Sequence, residues 1–131
     1  TIGTAGTLMG MAKSFKNAGS DCKIVALEPA SSPILSKGIK GAHNVEGVGL
    51  GFIPALYNPE YVHSVITIEE STARKTCRDL AIREGIFCGT SSGMNVAGAL
   101  KLSKDLGPKS KVVTVACDSG LKYLSEGLFD F

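Results

Sequence analysis

Apolar positions along the chain switch between two spacings, and the switching predicts a layered α/β fold. Leu8, Met11, Ala12, Phe15 and Ala18 recur at helical intervals between Gly6 and Ala18, with Gly19 as the stop. Lys23 to Glu28 is a near-continuous apolar run closed by Pro29, the pattern of a buried strand. Ser31 to Gly41 predicts irregular chain with at most a short helix around Pro33 to Ser36. Val62 to Ile68 predicts a second strand, and Glu69 and Glu70 suit the first turn of a helix from about Ser71 to Glu84. Ala73, Cys77, Leu80 and Ala81 share one face of that helix, charged side chains take the rest, and Gly85 is its expected C-cap. A short extended Ile86-Phe87-Cys88 and a small-residue turn, Gly89 to Gly93, then lead into a helix from Met94 to about Leu106. Lys111 to Cys117 predicts a third strand, and Asp118-Ser119-Gly120 a turn into a short terminal segment around Leu121 to Ser125. The alternation predicts an open, mainly parallel sheet with flanking helices, a single unit over residues 1–131.

Two small-residue turns and one loop stand out against that frame. Gly3-Thr4-Ala5-Gly6-Thr7 runs straight into the first helix, and Gly89-Thr90-Ser91-Ser92-Gly93 repeats the device. A helix N-terminus carries unpaired N–H groups and the positive end of the dipole, which together suit a phosphate dianion. Thr4 and Thr7 add hydroxyl donors. Such a loop ordinarily follows a buried strand, and none precedes Gly3, so the chain reads as a piece that begins mid-domain. Gly47-Val48-Gly49-Leu50-Gly51 to Pro54 is a long glycine-rich loop, of the kind that carries function in compact domains. Ligands in open α/β sheets sit beyond the carboxyl ends of the strands, where these turns are expected.

Composition narrows the classes. With 131 residues and 44% hydrophobic side chains the chain can bury one core. A net charge of +2 with scattered Lys and Arg and few aromatics excludes a nucleic-acid surface. No apolar run is long enough to span a bilayer and no cleavable leader pattern occurs, so a soluble, cytoplasmic chain is expected. Cys22, Cys77, Cys88 and Cys117 form no CxxC pair, which leaves no metal site and predicts buried free thiols in a reducing compartment. The first glycines fall at 3, 6 and 10 rather than as GxGxxG, Glu28 runs directly into Pro29, and no Gly-Lys-Ser/Thr exists. A dinucleotide site and a P-loop are therefore disfavoured.

Four segments in order resemble one family. Gly3-Thr4-Ala5-Gly6-Thr7-Leu8-Met9-Gly10 resembles the GTGGTxxG phosphate loop of the pyridoxal-phosphate enzymes of the cysteine synthase and cystathionine β-synthase group. Val45 to Pro54 resembles that family's xQGIGxGFxP loop, Arg83 to Gly93 its EGIxxGxSSG stretch, and Cys117 to Ser125 its xSGxxYLS close. The resemblance implies the large domain of fold type II and a β-replacement reaction like that of cysteine synthase (O-acetylserine sulfhydrylase) on a small amino acid. It implies that Gly3, Thr4, Ala5, Gly6 and Thr7 hold the cofactor phosphate, that Ser91 meets the pyridine nitrogen, and that Gly47, Gly49 and Gly51 line the substrate entrance. A neutral hydroxyl at the ring nitrogen makes a milder electron sink than a carboxylate, which suits β-elimination followed by addition of a nucleophile such as sulfide. Ala5 stands where the family has glycine, a change tolerated if its φ is negative.

The resemblance also implies what else is needed. Family members attach the cofactor through a lysine, and hold the substrate carboxylate and the ring oxygen, with segments of an N-terminal half that these residues do not match. The chain is thus expected to be the C-terminal part of such an enzyme. It would make phosphate and ring-nitrogen contacts without covalent attachment, supply no catalytic residue itself, and partner with that half or with a second copy. Two other readings remain: a non-catalytic phosphate-binding or partner-pairing module with an uncovered apolar face, and a lyase like threonine dehydratase. His43 and His63 are expected as surface or loop histidines, Lys122 and Tyr123 in packing and surface roles, Met9, Met11 and Met94 as core filler, and Cys88 in packing.

Overall fold

The computed structural model describes residues 1–130. Two strands, β1 (Val25–Pro29) and β2 (Ser64–Ile68), pair in parallel with Val25 opposite Ser64 and Pro29 opposite Ile68. Their side chains alternate between two buried faces, as a strand covered on both sides must. Ala26, with Ile24 and Val65, meets Leu8 and Met9 of helix α1 (Gly6–Asn17). Leu27 and Ile68, with Val25 and Ile66, meet Ala73 of α3 (Glu70–Asp79) and Met94 and Ala97 of α4 (Thr90–Leu106). The result is three layers, with α1 on one face of the sheet and the α3–α4 pair on the other.

Between the strands lies α2 (Ile34–Lys37), a single turn with no side-chain cap in its own sequence. The buried Glu28 carboxylate does that work from β1. It accepts the Leu35 N–H at 2.7 Å, the Ser36 N–H at 3.0 Å and the Ser36 hydroxyl at 2.5 Å. Glu28 is a structural clamp, which explains an acidic residue at the end of a buried strand without invoking a ribose.

Helix α3 continues through a π-turn, Leu80–Glu84, to Gly85 in the left-handed region. It packs against α4 so closely that a Cβ on Gly93 would overlap the Ala73 carbonyl and the Cys77 sulfur. That contact sets the depth at which α4 begins. A third cluster, Cys77, Cys88, Tyr123 and Leu128, joins the end of α3 to a terminal 3₁₀ segment, Gly120–Glu126.

The structure corrects four expectations. Lys111 to Cys117 forms no strand: among the described residues no neighbour runs alongside it, and Val113 is 90% exposed. A β-rich sequence becomes a strand only where a ladder partner exists. Met11 and Phe15 on α1 are exposed rather than core, because only the Leu8, Met9 and Ala12 side of the helix meets the sheet. Helix α4 starts at Thr90 rather than Met94, so Ser91 and Ser92 belong to its first turn and the cap is Gly89. Cys77 and Cys88 are buried free thiols as expected, but Cys22 and Cys117 are exposed.

The Gly93 contact is tested by substitution. Gly93→Ala should cost about 1–3 kcal/mol in urea denaturation, the range for overpacking a close-packed contact. Gly10→Ala on α1, where a Cβ would meet nothing within 4 Å, should instead stabilise by about 0.5–1 kcal/mol.

Candidate functional site

The two helix starts that the sequence singles out open onto one cleft of about 620 Å³. Gly3, Thr4, Ala5, Gly6 and Thr7 line one part of its wall and Ser91 and Asn95 another, joined by Glu46, Gly47, Cys117, Asp118, Lys122 and Tyr123. The first loop reaches this position because Ile2 is tied on both sides. Its N–H donates to the Leu27 carbonyl at 3.1 Å, and its carbonyl accepts the Gly49 N–H at 3.0 Å. Gly3 lies against the Gly47 carbonyl so closely that a Cβ would overlap it. Bare backbone is what allows the two loops to share a wall.

Helix α1 starts without a side-chain cap. Its first intrahelical acceptor, the Ala5 carbonyl, takes the Met9 N–H at 2.9 Å, which leaves the preceding amides of the first turn for a ligand. The positive end of the α1 dipole adds to them. Ala5 itself stands at φ 67°, so the negative φ on which easy tolerance of the alanine depended is not met. The left-handed turn is what swings the loop into the helix, and the position asks for glycine on backbone grounds. Its methyl group is not wasted, being buried against Ile2, Leu8, Met9 and Ala26.

The glycine-rich loop is divided. Gly47 reaches the cleft, whereas Gly49 and Gly51 line a separate, much smaller pocket behind it, with Ile2, Glu28 and Ser32. His43 causes the division: its Nε2 donates to the Gly49 carbonyl at 2.9 Å and its Nδ1 accepts the Val45 N–H at 3.3 Å. His43 thus pins the loop through both ring nitrogens, a role that no spacing in the sequence announces. His63 stays on the surface.

On the other wall, Ser91 is buried but lines the cleft, and the groups around it are hydrogen-bonded to one another. Asp118 accepts from the Gly89 N–H, the Ser92 hydroxyl and the Tyr123 hydroxyl. Asn95 holds Thr1 through its Oδ1 and the Val115 carbonyl through its Nδ2. Tyr123 has the packing role expected of the Lys122–Tyr123 pair, buried and bonded, and burial, then its bond to Asp118, raises its hydroxyl above the ordinary phenol range. Sequence reasoning missed Asp118, Tyr123 and Asn95; the available signal was the Asp-Ser-Gly-x-x-Tyr spacing near the chain's end. Met9 and Met94 are buried as expected, whereas Met11 lines the cleft. Among the described residues no cluster of metal-ligating side chains occurs, and no helix is long and apolar enough to cross a membrane.

The family described as pyridoxal-phosphate dependent enzyme matches residues 1–118. A cysteine synthase of Staphylococcus aureus strain Mu50 is 42% identical over 130 residues, 99% of this chain and 42% of that protein. The crystal structure of a cysteine synthase from Entamoeba histolytica superposes with a TM-score of 0.91 at 35% identity, covering 99% of this chain and 39% of that one. A hydrogen sulfide-producing enzyme from Fusobacterium nucleatum gives a TM-score of 0.89 at 42% identity, covering 97% and 38%. The chain spans about two-fifths of the length of these relatives.

Two measurements test the site's construction. At Ala5, relief of left-handed strain (roughly 1–2 kcal/mol) opposes glycine's entropy (about 0.5–1) and one lost buried methyl (about 0.8). Ala5→Gly should therefore change stability by less than about 1 kcal/mol, whereas the branched Ala5→Val should cost about 2 kcal/mol or more. Cys77 donates its thiol to the Gly89 carbonyl at 3.1 Å, and burial pushes that thiol from 9.0 up to about 12. The unfolded chain ionises first, so this stabilisation is whole below pH 9 and is lost as pH rises from 9.0 to about 12. Denaturation midpoints should fall across that window, and less steeply for Cys77→Ala.

Proposed function

The chain belongs to the pyridoxal-phosphate dependent enzymes, and on that premise we propose that it is the phosphate- and ring-binding part of a β-replacement enzyme of the cysteine synthase kind. The observation that supports this most is the single cleft with the Gly3–Thr7 loop on one part of its wall and Ser91 on another. The residues fit the group. The uncapped start of α1 offers amides and a positive dipole end to a phosphate dianion, Thr4 and Thr7 offer hydroxyls, and the Gly3–Gly47 contact closes the wall with backbone alone. Ser91 offers a neutral hydroxyl to the ring nitrogen. When bound, pyridoxal phosphate supplies an electron sink for breaking and making bonds at the β-carbon of an amino acid.

The chain's own residues bind and orient. Gly3, Thr4, Ala5, Gly6 and Thr7 would hold the phosphate, Ser91 would offer the ring nitrogen an uncharged hydroxyl, and Gly47 would bound the side where the substrate enters. Gly49 and Gly51 act behind that wall by shaping the loop. Covalent attachment and recognition of the substrate carboxylate are assigned to segments beyond these residues, so the unit works with an N-terminal half or within an oligomer. The free thiols suit a cytoplasmic setting. The cysteine synthases among the relatives favour this reading over the non-catalytic module and over the threonine dehydratase-like lyase.

The test is a fluorescence titration of the chain with pyridoxal phosphate and with pyridoxal. The phosphorylated form should bind at least about tenfold more tightly, since the cradle's charge-assisted bonds are the strong ones. Ser91→Ala should weaken pyridoxal phosphate by about five- to tenfold, the value of one hydrogen bond. Supplied with the N-terminal part of the S. aureus relative, the chain should form cysteine from O-acetylserine and sulfide. Equal affinity for the two vitamers would sink the proposal.

A further inference from the structure

Helix α4 carries Ser91 in its first turn yet has no cap of its own, because its N-cap is Gly89 and no side chain bonds back locally. The missing partner arrives from 29 residues away. Asp118 Oδ1 accepts the Gly89 N–H at 3.1 Å and the Ser92 hydroxyl at 3.0 Å, and Oδ2 accepts the Tyr123 hydroxyl at 2.5 Å. Ser92 Oγ in turn accepts the Cys117 N–H at 2.8 Å. The carbonyl of Gly89 takes the Cys77 thiol, so both polar groups of the cap residue are held by other segments. Only glycine permits this, since a Cβ at residue 89 would overlap the Tyr123 ring and stand 2.5 and 2.7 Å from the two carboxylate oxygens. The carboxylate also sits at the positive end of α4, where a negative charge is favoured.

We propose that Asp118, backed by Tyr123, is a positioning residue: it locks the first turn of α4 so that Ser91 presents its hydroxyl to the cofactor ring. This rests on the reading of the cleft given under the proposed function. The physical logic is that Asp118 lines the same cleft as Ser91 and is the stronger hydrogen-bond acceptor. Three donors occupy its oxygens and direct its charge to the helix start and to Tyr123. That arrangement leaves the neutral Ser91 hydroxyl, and not a carboxylate, to meet the ring nitrogen. The Tyr123 phenol is a donor throughout the neutral range, as any tyrosine is, and burial and its bond to Asp118 raise it further.

The experiment compares the 131-residue chain with Asp118→Asn, Asp118→Ala and Tyr123→Phe, by amide hydrogen exchange and by titration with pyridoxal phosphate and with inorganic phosphate. Amides 89–93 should exchange at least about tenfold faster in the Asp118 variants, with amides 3–9 unchanged, as expected for opening confined to one helix turn. Pyridoxal phosphate should bind about fivefold or more weakly, whereas inorganic phosphate, which needs only the α1 loop, should bind within about twofold of the parent. Tyr123→Phe, the variant least disruptive to folding, should move both readouts in the same direction by less. Unchanged exchange at 89–93, or equal weakening of the two ligands, overturns the proposal. A parent chain that prefers pyridoxal phosphate no more than pyridoxal would refute the cofactor reading instead, and the exchange rates still decide whether Asp118 holds the turn.

Discussion

A helix start can serve a ligand only if its own side chains do not cover it, and both helices that face the cleft begin uncapped. Ala5 before α1 and Gly89 before α4 offer no side-chain acceptor. Each forgoes a local cap worth about 1 kcal/mol. The two starts are then used differently. The amides of α1 stay open to the cleft, while α4 receives a distant carboxylate that ties it to the chain's last segment. One start lies open to the cleft and the other is tied to a distant segment.

Close backbone approach makes that division possible. Gly3 against Gly47, Gly89 against Asp118 and Tyr123, and Gly93 against Ala73 are places where one methyl group would force parts of the site apart. The α3–α4 contact sets how deep Ser91 lies, and the Ile2 bridge to Leu27 and Gly49 sets where the Gly3–Thr7 loop lies. Both are anchored to β1, through Leu27's side chain on one face and its carbonyl beside Ile2. A short sheet of two strands is enough to relate the two helix starts because each is tied to the same strand.

Much of this was legible from spacing. The runs at Lys23–Glu28 and Val62–Ile68 became β1 and β2, and the charged face of the Ser71–Glu84 segment stayed outside, because burial on two faces leaves a strong mark on composition. The loop at Gly3–Thr7 and Ser91 were found as small polar residues at helix starts, and they do line one cleft. The readings that failed each turned on a particular contact with a segment distant in sequence. Lys111–Cys117 has strand chemistry but no ladder neighbour among the described residues, and Met11 and Phe15 have core chemistry but face outward. The sign of φ at Ala5, the pinning of Gly49 by His43 and the tethering of α4 by Asp118 were likewise invisible.

By itself, then, the amino-acid order determined most of the periodic elements, the two small-residue turns at helix starts and the family that the ordered motifs point to, since each is written in neighbouring residues. Tertiary structure alone decided which helix start remains open, which glycine of the loop meets the cleft, and which side chain stands in for a missing cap. Those choices are settled by contacts between segments tens of residues apart. Hydrogen-bond geometry there depends on how the layers pack, and no local pattern records it.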